Sequence, residues 1–286
     1  MARSVTDNGG DVQVYEPHKV GLPKLVPYFR DLWARREFAA EFSKSGIRAA
    51  NTQTVFGQLW LILNPLLLAL VYYFLVAVLR GRTGGMPFLA HLTGGIFLFY
   101  FISASISTGA SSVTGGGRLI MNMNFPRLLM PFAAVRTAFV RFLPTVPVYL
   151  VLHAVAGVGW SFNMLLSVVF LGFAIVFALG AAALFASLQV YFRDTSSFLP
   201  YFIRIWLYLS PILWRREEIT QYGEPLTQLV YLNPLYSIIG GWVELSLNGQ
   251  IPPLAMWLCG AGWAIFAVVV GSLTFMSRER DFAVRL

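Results

Sequence analysis

Fifty consecutive residues, Phe142 to Tyr191, contain no Asp, Glu, Lys or Arg. No other feature constrains the chain as strongly. A water-soluble domain is about 25% charged, and this chain is 12% charged and 57% hydrophobic. It has too little polar surface to coat itself, so part of its solvent must be lipid. A bilayer core of about 30 Å needs about 20 helical residues. The uncharged run is too long for one helix, and "GVGWSFN" (Gly157–Asn163) is its natural break. It therefore predicts the end of one span and the whole of the next.

The remaining apolar runs complete a six-helix pattern. The predicted spans cover about 55-79, 86-113, 130-158, 164-191, 197-214 and 252-276. Residues 1-53 carry charges throughout and have no apolar core of a secretory signal, so the first span is expected to be retained. The single cysteine, Cys259, excludes an intrachain disulfide. The net charge of +8 does not point to nucleic acid, because the basic residues gather at the ends of the apolar runs. Fourteen Lys and Arg fall on the side of the N-terminal segment, the loops after spans two and four, and the C-terminal tail; four fall on the other. By the positive-inside rule both termini are cytoplasmic.

Three arginines stand out between Met121 and Leu150: Arg127, Arg136 and Arg141, with no acid in that segment. The eighteen uncharged residues from Phe142 to Gly159 make roughly 27 Å of helix. The third helix therefore starts before the membrane does. Arg127 is expected in the cytoplasm, Arg136 near the headgroups and Arg141 at the inner edge of the hydrocarbon. Either they snorkel to anionic lipid, or Arg136 and Arg141 face an inner vestibule for an anionic substrate. Arg204 lies about seven residues into the fifth span and poses the same choice.

Two segments are expected to lie along the membrane. Leu22–Arg48 places Leu25, Val26, Phe29, Leu32 and Trp33 on one helical face, with Phe38 and Phe42 on another. It reads as an interfacial amphipathic helix that near Phe38 either turns or is buried on two sides; a solvated juxtamembrane helix is the alternative. Pro225–Leu245 is apolar but broken at Asn233-Pro234 and Gly240-Gly241, which predicts a re-entrant hairpin between spans five and six. The alternative is a pair of helices lying in the outer leaflet.

The chemistry-bearing motifs are few. "TGGGRLI" (Thr114–Ile120) lacks the lysine of a phosphate-binding loop. It is expected to end the second span and start a short helix with Leu119, Ile120 and Met123 on one side. His18, His91 and His153 are far apart, and there is no zinc or serine-hydrolase motif. No acid lies inside a predicted span, so uphill transport would need an external motor. Aromatics cluster around Tyr72, around Phe97, Tyr100 and Phe101, and around Tyr201 and Trp206. They make either interfacial belts or a conduit whose rings stack on sugars.

The N-terminal interfacial helix, six spans, "NFPRLLMP" after the second, "YFRDTSSFLP" after the fourth and "YLNPLY" before the sixth together resemble one family. It is the permease of ABC-2 type polysaccharide exporters, which serve O-antigen and teichoic acid. In detail the chain is most similar to actinobacterial galactan exporters. The resemblance covers nearly the whole chain and implies an all-α integral membrane protein with 54-286 as its transmembrane domain. It implies a homodimer working with two copies of a separate ATPase, which binds ATP and Mg; this chain is expected to bind no cofactor or metal and to be no enzyme itself. The substrate implied is a polyprenyl-pyrophosphate-linked glycan. The implied ATPase-coupling segment contains Arg118, Leu119, Ile120, Met123, Phe125 and Pro126. The implied substrate path takes in Arg136, Arg141 and Arg204 with Tyr72, Phe97, Tyr100, Phe101, Tyr201 and Trp206. Tyr231, Asn233, Pro234 and Tyr236 would form the outer gate. A permease for a lipid or drug, or a membrane scaffold or channel without an ATPase, are the alternatives.

Overall fold

In a computed structural model, the structure describes residues 3–5, 12–14, 21–49, 56–80, 85–117, 120, 123 and 125–285. The regular structure of the described residues is helical apart from two short strands, β1 (Arg3–Val5) and β2 (Val12–Val14), paired antiparallel. This small departure from an all-α fold stands ahead of the helical body.

Five helical stretches are long and apolar enough to cross a membrane: Gly57–Leu79, Gly85–Gly115, Leu129–Val155, Phe162–Tyr191 and Leu254–Asp281. They hold α3 (Trp60–Arg80), α4 (Gly85–Gly115), α5 (Leu129–Phe142) with α6 (Thr145–Val155), α7 (Ser167–Tyr191) and α12 (Leu254–Arg278). The chain is therefore a multi-pass membrane protein, and its many exposed Leu, Val and Phe side chains suit lipid as solvent. The third span is jointed at Leu143-Pro144, where proline cannot supply a helical N–H.

The segment expected as the fifth span is α8 (Thr195–Leu209). Its 15 residues make about 22 Å, short of the bilayer core. Ser210-Pro211 ends it, and α9 (Arg216–Thr220) and α10 (Glu224–Leu229) follow.

The core is built around α7, which packs on α4, α12 and α11 (Pro234–Asn248). Small residues set these distances. A Cβ on Gly180 would overlap the backbone of Ala267, and one on Gly271 would overlap Gly180. In lipid, where apolar burial offers no advantage between helices, such close packing is what holds them together.

Every residue of α11 from Leu235 to Leu247 is buried. A helix enclosed on all sides needs no polar face. Asn233 caps it, its side chain accepting from the Leu235 N–H at 3.0 Å, and Pro234 occupies the first turn. That is the expected break. The second expected break is absent: Gly240 and Gly241 lie inside α11. A Cβ on Gly241 would strike the Phe170 ring, so this glycine admits a neighbouring helix instead of ending its own. Glu244 is buried on the same helix.

The N-terminal segment is two helices. α1 (Leu25–Ala34) buries no residue and leaves Leu25, Val26, Phe29 and Trp33 exposed. After a turn at Arg35, α2 (Arg36–Ala49) packs on α5 through Ala39 and Ser43. Ser43 and Thr137 hydroxyls lie 2.9 Å apart, and Phe38 meets Phe125 with ring centroids at 5.3 Å.

Candidate functional site

α4 is the most enclosed of the five candidate spans. From mid-helix to its C-terminal end, its open face is polar. Tyr100 and Ser103 are half-buried; Ser107, Thr108, Ser111 and Thr114 are exposed. Their spacing of three and four residues puts them on one side of the helix. The hydroxyls bond back to their own helix, Thr108 to the Ala104 carbonyl at 2.6 Å and Thr114 to the Ser111 carbonyl at 3.2 Å. A hydroxyl that donates inward still offers lone pairs outward. A lipid-facing helix has no use for such a row, whereas a hydrated path does.

α8 runs along this face. Ser107 and Ser111 of α4, Gln189 of α7, and Ser196, Leu199 and Pro200 of α8 enclose a cavity of about 100 Å³. Gln189 donates to the Arg193 carbonyl at 3.3 Å, while its buried Oε1 has no protein partner. Higher on α8, Tyr201 and Arg204 are exposed. Tyr208 packs edge-on against Tyr72 of α3 at 6.2 Å. Then comes Trp206, ringed by Phe202 at 5.0 Å and Phe177 at 5.9 Å. Its indole donates to Asn233 Oδ1 at 2.7 Å. Asn233 in turn donates to the Leu209 carbonyl at 2.9 Å, which fixes the top of α8 to the start of α11. Tyr231 and the wholly buried Tyr236 meet edge-on at 5.1 Å behind this joint, beside Pro234.

Tyr201 and Arg204 are exposed on α8 and Tyr100 is half-buried on α4, whereas Trp206 lies on another side of α8, towards Phe177 and Asn233. Tyr72, Phe97 and Phe101 are buried in the core, Tyr72 against Tyr208 and Phe101 against Phe139 and Phe142. The spacing of the two phenylalanines matched that of Tyr100, but they occupy the inward side of α4. The three arginines of the third span separate. Arg136 is exposed and donates to the Ala40 carbonyl at 2.9 Å, pinning α2 to α5. Arg141 is half-buried, its Nε buried without a protein partner. Arg127 finds its acid far along the chain: it donates to the Glu279 carbonyl, whose side chain accepts from Tyr28 at 2.6 Å. Burial holds the Arg127 guanidinium below its ordinary pKa, with Glu279 opposing; burial and Glu279 push the Tyr28 phenol upward.

Of the expected coupling segment, Arg118 and Leu119 lie outside the described residues. Met123 is 47% exposed, whereas Ile120, Phe125 and Pro126 are buried. Ile120 and Phe125 fill a second core with Leu128, Met130, Ala186 and Phe275. They hold the segment against the helix ends and do not present themselves to a partner. The hydroxyl row, Gln189 and the Tyr28–Glu279 contact were not anticipated. The repeat in "SASISTGASSVT" was the available signal for the first. Among the described residues no three potential ligands gather as a metal site.

No model of a known protein family matches the chain. Individual proteins do. It is 30% identical over 206 residues to an O-antigen export system permease protein of Klebsiella pneumoniae, covering 72% of this chain and 78% of that one. A second Klebsiella pneumoniae permease of that description is 28% identical over the same length. One from Myxococcus xanthus is 24% identical over 260 residues, 91% of this chain and 99% of that one. With nearly the full relative aligned and the apolar helices in place, the chain belongs to the O-antigen export permeases, a family of ABC-2 type polysaccharide exporter permeases.

Proposed function

We propose that this chain is the permease subunit of an ATP-driven exporter that moves a polyprenyl-pyrophosphate-linked polysaccharide across the plasma membrane. The observation that carries the reading is the hydroxyl and aromatic face of α4 and α8 on a chain of this family. Hydroxyls exchange hydrogen bonds with sugar hydroxyls at little cost, and aromatic rings take the apolar faces of the sugar rings. Two copies facing each other would enclose a conduit between such faces. Arg204 and Arg141 supply cationic heads suited to the pyrophosphate, with Arg136 nearer the cytoplasmic rim.

Both termini are cytoplasmic in this reading, as the basic asymmetry requires. The six-span topology then counts α8, and α10 with α11 forms the re-entrant outer gate. α1 lies in the inner interface with Trp33 and Phe29 in lipid. Two copies of a separate ATPase bind ATP and Mg and dock on the segment from Gly116 to Pro126, where Met123 is exposed. A galactan of the cell wall is the leading polymer, on overall likeness of sequence.

The test is polymer export in cells depleted of the chain and complemented with wild type or with Ser107→Leu and Ser111→Leu together. Cytoplasmic accumulation of lipid-linked polymer in the double variant, at normal permease level and ATPase association, is expected. Unimpaired export would remove the hydroxyl face from the path. Accumulation of a lipid or drug in place of a polymer would move the chain to another substrate class.

A further inference from the structure

Away from the hydroxyl face, a second cavity of about 80 Å³ lies between the start of α4, the turn after α8 and the last turns of α11. Its polar lining is His91, Arg215, Arg216, Glu217, Glu244 and Asn248. His91 is 93% enclosed, with 7% of its surface exposed, and its Nε2 has no protein partner; the Arg216 Nε is buried without one as well. Buried polar atoms are satisfied by protein, water or ligand, so these two offer hydrogen-bonding capacity to the cavity. The lining is held in place. His91 stacks on Phe88 at 6.0 Å with 10° between the planes, and the Arg215 guanidinium lies over that same ring at 5.6 Å. Glu244 stands 3.8 Å from Arg216, close enough to pair and too far for a tight hydrogen bond.

The chemistry of the lining selects the ligand. A phosphate would meet two carboxylates, a metal cation would meet two guanidiniums, and an acyl chain would strand every polar group. A neutral polyhydroxylated ring satisfies donors and acceptors together. The volume is several times what one water needs, and the cavity is open at the exposed Asn248, so part of a sugar ring can lodge in it. We propose that this cavity is a binding site for a single saccharide unit, held by Glu244 and Asn248 through its hydroxyls, by Arg216 as donor and by the His91 Nε2 as acceptor. Its biological sense, retention of the emerging polymer, rests on the reading of the chain as a polysaccharide permease.

The experiment is saturation-transfer NMR on the purified permease–ATPase complex with galactose, glucose and N-acetylglucosamine as separate probes. At least one should receive saturation, with 10 mM-scale inorganic phosphate unable to displace it. Glu244→Gln and Asn248→Ala should each weaken it about tenfold or more, the loss expected for one hydrogen bond to a charged or amide group. Asn248 is exposed at the rim, so its truncation leaves the fold intact even where Glu244→Gln fails to assemble. No transfer from any sugar, binding unchanged in Asn248→Ala, or displacement by phosphate would each overturn the proposal. Polymer export measured alongside separates the two readings: export with no sugar binding removes the cavity alone, whereas binding that depends on Asn248 in a chain that exports no polymer upholds the cavity and removes the transport reading.

Discussion

Trp206 donates a 2.7 Å hydrogen bond to Asn233, and that same Oδ1 caps α11. One side chain thus joins α8 to the helix enclosed at the centre of the molecule. Movement of α8 must either carry α11 along or break this bond.

Asn233→Ala removes the cap, the indole's acceptor and the donor to Leu209 at once. A lost cap costs about 1 kcal/mol and a stranded buried donor about 1–3 kcal/mol more. The purified protein should melt several degrees lower in detergent. Asn233→Asp keeps the acceptor for Trp206 and Leu235 and loses only the donor to Leu209, so its melting temperature should fall between the two. Equal melting of all three proteins would show the joint to be slack.

Gly241→Ala and Gly240→Ala should differ sharply. At Gly241 the new methyl runs into the Phe170 ring, whereas at Gly240 its nearest neighbour is the flexible end of Met256 at 3.0 Å. Overpacking costs about 1–3 kcal/mol. Gly241→Ala should lower thermal stability and yield, and Gly240→Ala should be close to wild type. The pair is read by size-exclusion yield and thermal melting.

Tyr28→Phe should loosen the contact between α1 and the C-terminal end of α12. The phenol gives its hydrogen bond to a carboxylate, an interaction of about 1.5–3 kcal/mol. A double-mutant cycle with Glu279→Gln, followed by thermal melting, should return a coupling of at least 1 kcal/mol. Additive effects would mean that the two side chains act independently. Arg127 should hold its position in Tyr28→Phe, since it bonds the Glu279 backbone carbonyl.

Arg204 distinguishes transport from snorkelling. It is exposed on α8. If it contacts phosphate or sugar, Arg204→Lys should impair export, because the ammonium lacks the planar fork, and Arg204→Gln should abolish it. Both should keep normal complex levels. Normal export by Arg204→Gln would assign the arginine to the lipid headgroups alone.

The long uncharged runs were sufficient to read five of the helices that can span a membrane, whereas the face change at Phe38 left open whether the N-terminal segment turns or is buried on two sides. Asn233-Pro234 announced the start of α11 through chemistry that acts within a single turn. Local physics of this kind needs no knowledge of neighbours. Which apolar residue faces what was a different matter. Against lipid, a helix's core side and its outer side are both apolar, so Phe97 and Phe101 looked no different from Tyr100, and Ile120 no different from Met123. Packing alone turned the phenylalanines inward and left the tyrosine and the serine row at the open face. Gly240-Gly241 likewise reads as a break in one dimension, and becomes a close-contact site only because Phe170 of another helix stands against it. Arg127 met Glu279 across 152 residues of chain, a pairing that no local pattern encodes. Residue chemistry settled what can enter the membrane; the third dimension settled which side of each helix meets protein, lipid or substrate, because that choice depends on partners brought together only by the fold.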